Sequence, residues 1–143
     1  MAKVEVELPK LTVLVVDDQD YVRTIVVQIL RKLGVGRVLQ SSDGAEALEI
    51  LEKTTPDLIL CDIKMKPVDG LQFLRDVRGG LGGPDPELPI IFLTSASDRE
   101  TVKAAIEGDI DGYLVKPVSP TDLKAKIIAV LGKRLASRGV NWA

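Results

Sequence analysis

Short apolar runs alternate along the whole chain with segments whose apolar residues recur at helical spacing. The apolar runs occupy 11–18, 36–44, 57–62, 88–95 and 111–117. The helical segments cover Val22–Leu33, the stretch around Ala47–Leu51, about Leu71–Val77, 98–107 and Thr121 to about Leu135. Strands that alternate with helices predict a parallel sheet covered on both faces. We therefore expect a doubly wound α/β fold with five parallel strands and five helices.

The composition is that of one globular domain and argues against several classes of function. The 143 residues are 45% apolar and 28% charged, and the net charge of -2 gives no basic field for nucleic acid. No apolar stretch approaches the roughly 20 residues that span a bilayer. The N-terminus lacks the apolar core of a signal peptide, so we expect a cytoplasmic protein without membrane insertion. We expect an arm at 1–10, a domain at 11–136 and a tail at 137–143.

Cysteine and histidine usage limits the chemistry of any site. Cys61 is the single cysteine, and histidine is absent. An intramolecular disulfide, a Cys-based zinc site and a His-dependent triad are therefore excluded. A metal would be held by oxygen ligands, which favours magnesium or calcium. A phosphoryl group that begins on histidine would have to come from another protein.

Polar residues end four of the five apolar runs. They are Asp17 and Asp18 after the first run, Asp62 in the third, Thr94 in the fourth and Lys116 in the fifth. Parallel strands bring their carboxyl ends to one edge, where doubly wound sheets bind ligands. Three neighbouring carboxylates repel unless a cation joins them, so the cluster predicts a hard divalent ion. Lys116 and Thr94 would then bind an anion beside it.

Each of these residues also has an ordinary structural interpretation. Asp17 or Asp18 could cap the helix that follows, and Asp62 could form a turn. Thr94 could simply end a strand, and Lys116 could be a solvated loop lysine. Taken together, these interpretations give no reason for four strands of one chain to end in this way.

Four segments then identify a family resemblance. They are "VLVVDD", "DLILCDIKMKPVDG", "IIFLTSAS" and "GYLVKP", in that order. These segments resemble the signatures of the response-regulator receiver domain of two-component signalling, from about Leu11 to Leu135. The chain is most similar to single-domain, CheY-like receivers. The resemblance implies a flavodoxin-like fold.

The resemblance also implies roles for the acidic residues. Asp62 matches the phosphoacceptor, the nucleophile that attacks a phosphohistidine of a partner. Asp17 and Asp18 match the acid pair that holds Mg²⁺. Asp62 and the backbone carbonyl of Lys64 would complete the protein ligands.

The remaining motif positions would bind and report the phosphoryl group. Thr94 and Lys116 match the residues that grip its oxygens, and Tyr113 matches the aromatic switch position. Pro117 matches a proline that the family usually places after a cis bond. The implied output surface consists of the helix at 98–107, the fifth strand and the final helix.

The function implied is a phosphoacceptor signalling switch rather than an enzyme acting on other substrates. The donor would be a sensor histidine kinase or a His-phosphotransfer protein, and the output an unidentified downstream protein. Lys66 stands where the family usually has proline. Lys64 and Ala96 occupy positions that tune the lifetime of the phosphoryl group in the family.

Two other functions share part of this pattern with the switch. A phosphohydrolase of the haloacid-dehalogenase type also uses a strand-end aspartate and magnesium, but needs a second acid two residues after the nucleophile. Lys64 stands there, which counts strongly against it. A degenerate receiver that acts only as a binding module would have no need of the complete set of motif residues.

Overall fold

The five predicted strands form one parallel sheet in the computed structural model. The structure describes residues 6–65, 69–81, 85–95 and 110–137, together with Glu100, Lys103, Ile106 and Glu107. The strands are β1 (Thr12–Val16), β2 (Arg37–Ser41), β3 (Leu58–Asp62), β4 (Ile90–Thr94) and β5 (Gly112–Val115). Their spatial order is β2-β1-β3-β4-β5, with every neighbouring pair parallel. The predicted α/β class is therefore confirmed.

Helices connect the strands at the predicted places. Four of them are α1 (Asp20–Leu33), α2 (Gly44–Lys53), α3 (Gly70–Arg78) and α4 (Pro120–Ser137). Gly34 ends α1, because it adopts the left-handed φ of 91° that favours glycine. Asp43 and Asp69 begin α2 and α3, each accepting a hydrogen bond from a backbone N–H of the first turn. Among the described residues, no helix has the length and apolar character needed to cross a bilayer.

The helix predicted at 98–107 falls mostly outside the described residues. The four positions described within it, Glu100, Lys103, Ile106 and Glu107, are helical. At the N-terminus, apolar and polar residues alternate at 3–8, a pattern that fits either the expected arm or an extra edge strand. Residues 3–5 lie outside the described ranges, and Leu8–Lys10 form a 3-10 helix rather than a strand.

Alternate side chains of the central strands pack against opposite layers of helices. Val13 and Val15 of β1 belong to the apolar cluster that includes residues of α1 and α4. Leu14 and Val16 belong to the second cluster, which includes residues of α2 and α3. A strand buried on both faces has no place for alternating polar residues. This explains why β1, β3 and β4 read as continuous apolar runs up to the polar residues at their ends.

Two arginines anchor the far end of the loop after α3. Arg78 donates from Nη1 to the backbone carbonyl of Leu88 at 2.7 Å. Arg134, from α4, donates to the backbone carbonyl of Glu87 at 2.7 Å and forms an ion pair with Asp85. The start of β4 is thereby held to two helices at the amino edge of the sheet.

Gly36 lies where the N-terminal segment crosses close to the start of β2. Its N–H donates to the carbonyl of Leu8 at 3.1 Å, and a Cβ at this position would lie 2.1 Å from the carbonyl oxygen of Pro9. We expect Gly36→Ala to lower the free energy of unfolding by about 1–3 kcal/mol, because backbone atoms must move apart. Urea unfolding would measure the change.

Gly132 provides the matched control, since a Cβ there meets nothing within 4 Å and the residue lies inside α4. Gly132→Ala should raise the free energy of unfolding by about 0.5–1 kcal/mol, as expected for glycine in a helix interior. Equal effects of the two substitutions would show that the close approach at Gly36 does not limit stability.

Candidate functional site

The candidate site lies at the carboxyl edge of the sheet, where the strand order reverses between β1 and β3. Asp17 directly follows β1, and Asp62 is the last residue of β3. Because Val16 pairs with Cys61, the next residues, Asp17 and Asp62, lie side by side on neighbouring strands. Thr94 ends β4 and pairs with Val115, the residue before Lys116. The strand order thus brings together residues that are far apart in the sequence.

Three carboxylates converge at this edge. One oxygen from each of Asp17, Asp18 and Asp62 lies within 4.8 Å of the others. Asp17 and Asp62 are 2% and 8% exposed, whereas Asp18 is exposed. This donor set consists of hard oxygen ligands with one side open to solvent. It fits Mg²⁺, which binds a few carboxylates and keeps several waters.

Lys116 is the cation that contacts the buried pair. Its Nζ lies 3.3 Å from Oδ2 of Asp17 and 3.4 Å from Oδ1 of Asp62. Burial nevertheless raises the pKa of the Asp62 carboxyl above its usual range. Lys116 opposes this shift, while the charges of Asp17 and Asp18 add to it. The Asp62 charge is therefore costly in the absence of a further cation.

Thr94 and Tyr113 lie on neighbouring strands, on the same face of the sheet. Thr94 is buried, and its hydroxyl donates to the backbone carbonyl of Ser95 at 3.3 Å. Tyr113 pairs with Phe92, two residues before Thr94 on β4, and is 42% exposed. Since side chains alternate along a strand, Phe92, Thr94 and Tyr113 share a face. Tyr113 is therefore an exposed aromatic side chain on the same face of the sheet as the buried Thr94.

The residues around Asp62 differ in their relation to solvent. Cys61 is buried, and its thiol donates to the carbonyl of Asp62. Lys64 is exposed. Lys66, a departure from the family pattern, lies outside the described residues. The Lys116-Pro117 peptide bond is cis, the isomer that the resemblance implied.

The turn after Asp62 requires a glycine at position 70. The N–H of Gly70 donates to the carbonyl of Ile63 at 2.7 Å. A Cβ on Gly70 would lie 2.6 Å from the carbonyl oxygen of Asp62. Helix α3 thus begins in direct contact with the backbone of the candidate site, and Asp69 caps it there.

The loop that carries the acid pair contains a contact absent from the sequence predictions. Arg23, one turn into α1, donates from Nη1 to the backbone carbonyl of Asp17 at 2.6 Å. A capping role for Asp17 or Asp18 is not observed, because Gln19 is the N-cap of α1 and makes no side-chain capping bond. The one available signal for Arg23 was the tendency of helical side chains to point toward the N-terminus.

We expect Asp62→Asn to raise the free energy of unfolding of the metal-free protein at neutral pH, because it removes a poorly compensated buried charge. A carboxyl with a raised pKa holds its proton more tightly in the folded state. Wild type should therefore gain stability as the pH falls from that raised pKa toward the ordinary value of 3.8. The advantage of the variant should shrink over the same window.

Urea unfolding in EDTA at a series of pH values would test this expectation. Asp122→Asn is the matched control, since Asp122 is exposed in the first turn of α4. It should be neutral or slightly destabilising, because an acid there favours the helix dipole. The burial cost would be contradicted if Asp62→Asn did not exceed wild type in free energy of unfolding at neutral pH. It would also be contradicted if the difference between the two proteins stayed constant down to acid pH.

Comparisons with known proteins assign the family. Residues 13–128 match the model of the response regulator receiver domain. A probable transcriptional regulator, ycf27, of Guillardia theta is 38% identical over 119 residues. These residues cover 83% of this chain but 44% of that protein, so the chain spans less than half of that relative. Chemotaxis protein CheY-3 of Vibrio cholerae is 33% identical over 118 residues, which cover 80% of this chain and 87% of CheY-3.

A solved structure supports the same assignment. The receiver domain of a sensor histidine kinase from Pseudomonas aeruginosa superposes with a TM-score of 0.76 and 28% identity. The match covers 85% of this chain and 98% of that one, whose active site cleft holds a magnesium ion. The fold is the CheY-like, flavodoxin-like fold expected from the resemblance. This chain belongs to the response regulator receiver domain family.

Proposed function

We propose that this chain is a phosphorylation-driven switch in which Asp62 accepts a phosphoryl group from a partner's phosphohistidine. The observation that carries the proposal is the pair of buried carboxylates, Asp17 and Asp62, contacted by one ammonium group at 3.3 and 3.4 Å. Burying two acids at the edge of an apolar sheet costs stability. Receiver domains of this family accept phosphoryl groups from histidine kinases and act on downstream partners. On this proposal, the charge of Asp62 lowers stability but is needed for phosphoryl transfer.

Asp62 is the proposed nucleophile. One of its oxygens forms a bond to phosphorus as the phosphorus–nitrogen bond of the donor breaks, and the bonding pair returns to the imidazole. The donor is a second protein, a histidine kinase or a His-phosphotransfer protein, because this chain contains no histidine. A carboxylate is a weak nucleophile, but phosphoryl transfer depends mainly on positioning and charge neutralisation.

Asp17, Asp18, Asp62 and the backbone carbonyl of Lys64 are the proposed Mg²⁺ ligands. When bound, this ion supplies positive charge that offsets both the carboxylate cluster and the phosphoryl oxygens. The support for this assignment is the convergence of three carboxylate oxygens within 4.8 Å. The exposure of Asp18 leaves one side of the cluster accessible from solvent.

Lys116 and Thr94 are the proposed ligands of the phosphoryl oxygens. Lys116 already lies between Asp17 and Asp62, so its ammonium group is held where new negative charge would appear. Thr94 now donates to the backbone carbonyl of Ser95. To donate to a phosphoryl oxygen instead, its hydroxyl must leave that partner. Phosphorylation would therefore change the conformation of the β4 end.

The output surface is proposed to include β5, α4 and the helix predicted at 98–107. Tyr113 and Val115 are 42% and 45% exposed on the face of β5 that Thr94 shares. A shift of Thr94 toward the phosphoryl group would open space beside β5 into which Tyr113 can turn. A partner that binds one position of Tyr113 better than the other would read the phosphorylation state.

The two alternatives are distinguished by what happens to the phosphoryl group. A phosphohydrolase would turn over acetyl phosphate rapidly, and a degenerate receiver would not react with it. Lys64 in place of a second acid disfavours the phosphohydrolase. The contacts between Lys116 and both buried acids favour a working receiver over a degenerate one.

Incubation with acetyl phosphate and Mg²⁺, followed by intact mass measurement, should give a single phosphoryl adduct on wild type. Asp62→Asn should abolish this adduct, because the amide keeps the size of the side chain but loses the anionic nucleophile. Asp122→Asn, the same exchange at an exposed acid, should react like wild type. An adduct of equal amount and lability on Asp62→Asn would remove Asp62 from the mechanism.

Thr94→Ala should still accept a phosphoryl group, because Asp62 and Lys116 remain. The conformational change at β5 and α4 should be much smaller, because the hydroxyl that would move toward the phosphoryl group is lost. Amide NMR with beryllofluoride as the phosphoryl mimic would compare the two proteins. Wild type should show large amide shifts on β5 and α4, and Thr94→Ala much smaller ones. Equal β5 shifts in wild type and Thr94→Ala would show that the signal bypasses Thr94.

Lys116→Ala should impair both phosphorylation and the shift of β5 and α4, and it should slow phosphorylation by about 10²–10³-fold.

A further inference from the structure

We propose that Arg23 is a positioning residue that fixes the acid pair for binding of the divalent cation. The inference rests on the proposed Mg²⁺ site and adds a residue that does not itself touch the ion. Arg23 lies on α1, its side chain is 15% exposed, and its guanidinium reaches back to the connection between β1 and α1.

The guanidinium of Arg23 holds three elements together. Nη1 donates to the backbone carbonyl of Asp17 at 2.6 Å, and Nη2 pairs with the carboxylate of Asp20 at 2.5 Å. Nε donates to the side-chain oxygen of Gln40, on β2, at 3.3 Å. A planar guanidinium can serve three acceptors in fixed directions, which an ammonium group cannot do in the same way.

The bond from Arg23 adds to other hydrogen bonds that hold Asp17. Its N–H donates to the carbonyl of Ser41 at 3.1 Å, and its carboxylate accepts the N–H of Gln19 at 2.9 Å. With Arg23 on the carbonyl, every polar group of Asp17 is held by a protein partner in the described structure. The peptide plane between Asp17 and Asp18 is thereby fixed, and with it the direction in which both side chains leave the backbone.

The sign of the charge effect separates positioning from electrostatics. Arg23 brings a positive charge toward a cation site, so charge alone predicts that its removal would strengthen Mg²⁺ binding. Positioning predicts the opposite, because a loop free to rotate presents its carboxylates less often in the binding arrangement. Outer partners of metal ligands typically contribute about 10–100-fold to metal affinity. We therefore expect weaker binding when Arg23 is replaced.

The test measures Mg²⁺ affinity by amide NMR titration of unphosphorylated wild type, Arg23→Met, Arg23→Lys and Arg31→Met. Arg23→Met should weaken Mg²⁺ binding about 10-fold or more. Arg23→Lys keeps the charge but should still weaken Mg²⁺ binding, because an ammonium group cannot replace the three directed hydrogen bonds of the guanidinium. Arg31 lies exposed on the same helix, so Arg31→Met is the charge-matched control and should bind Mg²⁺ as tightly as wild type or slightly more tightly.

Thermal unfolding in EDTA shows that each variant is folded at the titration temperature, which separates lost affinity from lost structure. Unchanged or stronger Mg²⁺ binding by Arg23→Met would overturn the positioning role while leaving the metal site intact. Full restoration by Arg23→Lys would also overturn it, since charge would then suffice. Failure of wild type to bind Mg²⁺ would instead overturn the proposed site, and the inference with it.

Discussion

The contact of one ammonium group with two buried carboxylates governs the carboxyl edge of this sheet. Two like charges about 4 Å apart repel by roughly 4 kcal/mol at the effective dielectric of a protein surface. Lys116, at 3.3 and 3.4 Å from Asp17 and Asp62, offsets much of this repulsion, but Asp18 adds a third negative charge. Among the contacts of the described residues at this cluster, negative charge therefore exceeds positive charge. This excess favours binding of a hard cation and is consistent with the raised pKa of Asp62.

The sheet makes this charge arrangement possible because the apolar packing that stabilises the fold and the charged residues of the site occupy different parts of it. Its central strands are covered on both faces by apolar side chains of two helical layers. The polar residues at the site sit only at strand ends, where the backbone leaves the apolar layers. At the opposite edge, Arg134 and Asp85 form an ion pair between a helix and a loop. The carboxyl edge can thus hold an unfavourable charge distribution on a well-packed support.

Much of the fold and of the candidate site could be predicted because both depend on local patterns. Strands buried on both faces are continuous apolar runs, and a carboxylate or lysine at the end of such a run is conspicuous. Asp17, Asp62 and Lys116 were found in this way, and the structure brings them into contact. The parallel topology then needed no knowledge of tertiary contacts, since alternating strands and helices already imply it.

Contacts that depend on the exact path of the backbone could not be predicted in this way. Arg23 looks like an ordinary polar residue of an amphipathic helix, and only the path of the chain after β1 reveals its acceptor on Asp17. Gly36 looks like a loop glycine, yet the carbonyl of Pro9 lies where its side chain would be. Gly36 and Pro9 are remote in sequence, whereas Arg23 and Asp17 are only six residues apart and meet because of how the loop between them turns.

The anchoring of the loop after α3 has a consequence for how this domain can be altered. At the near end, the N–H of Leu81 donates to the carbonyl of Asp76. At the far end, Arg78 and Arg134 hold Asp85, Glu87 and Leu88. When both ends of a loop are fixed, each doubling of its length costs only about 0.6 kcal/mol. Extra residues inserted between Leu81 and Asp85 would therefore be tolerated. Asp85 and Glu87, which flank this point, lie near the start of β4, whereas Asp62 lies at the opposite edge of the sheet, so a reporter sequence could be inserted there away from Asp62.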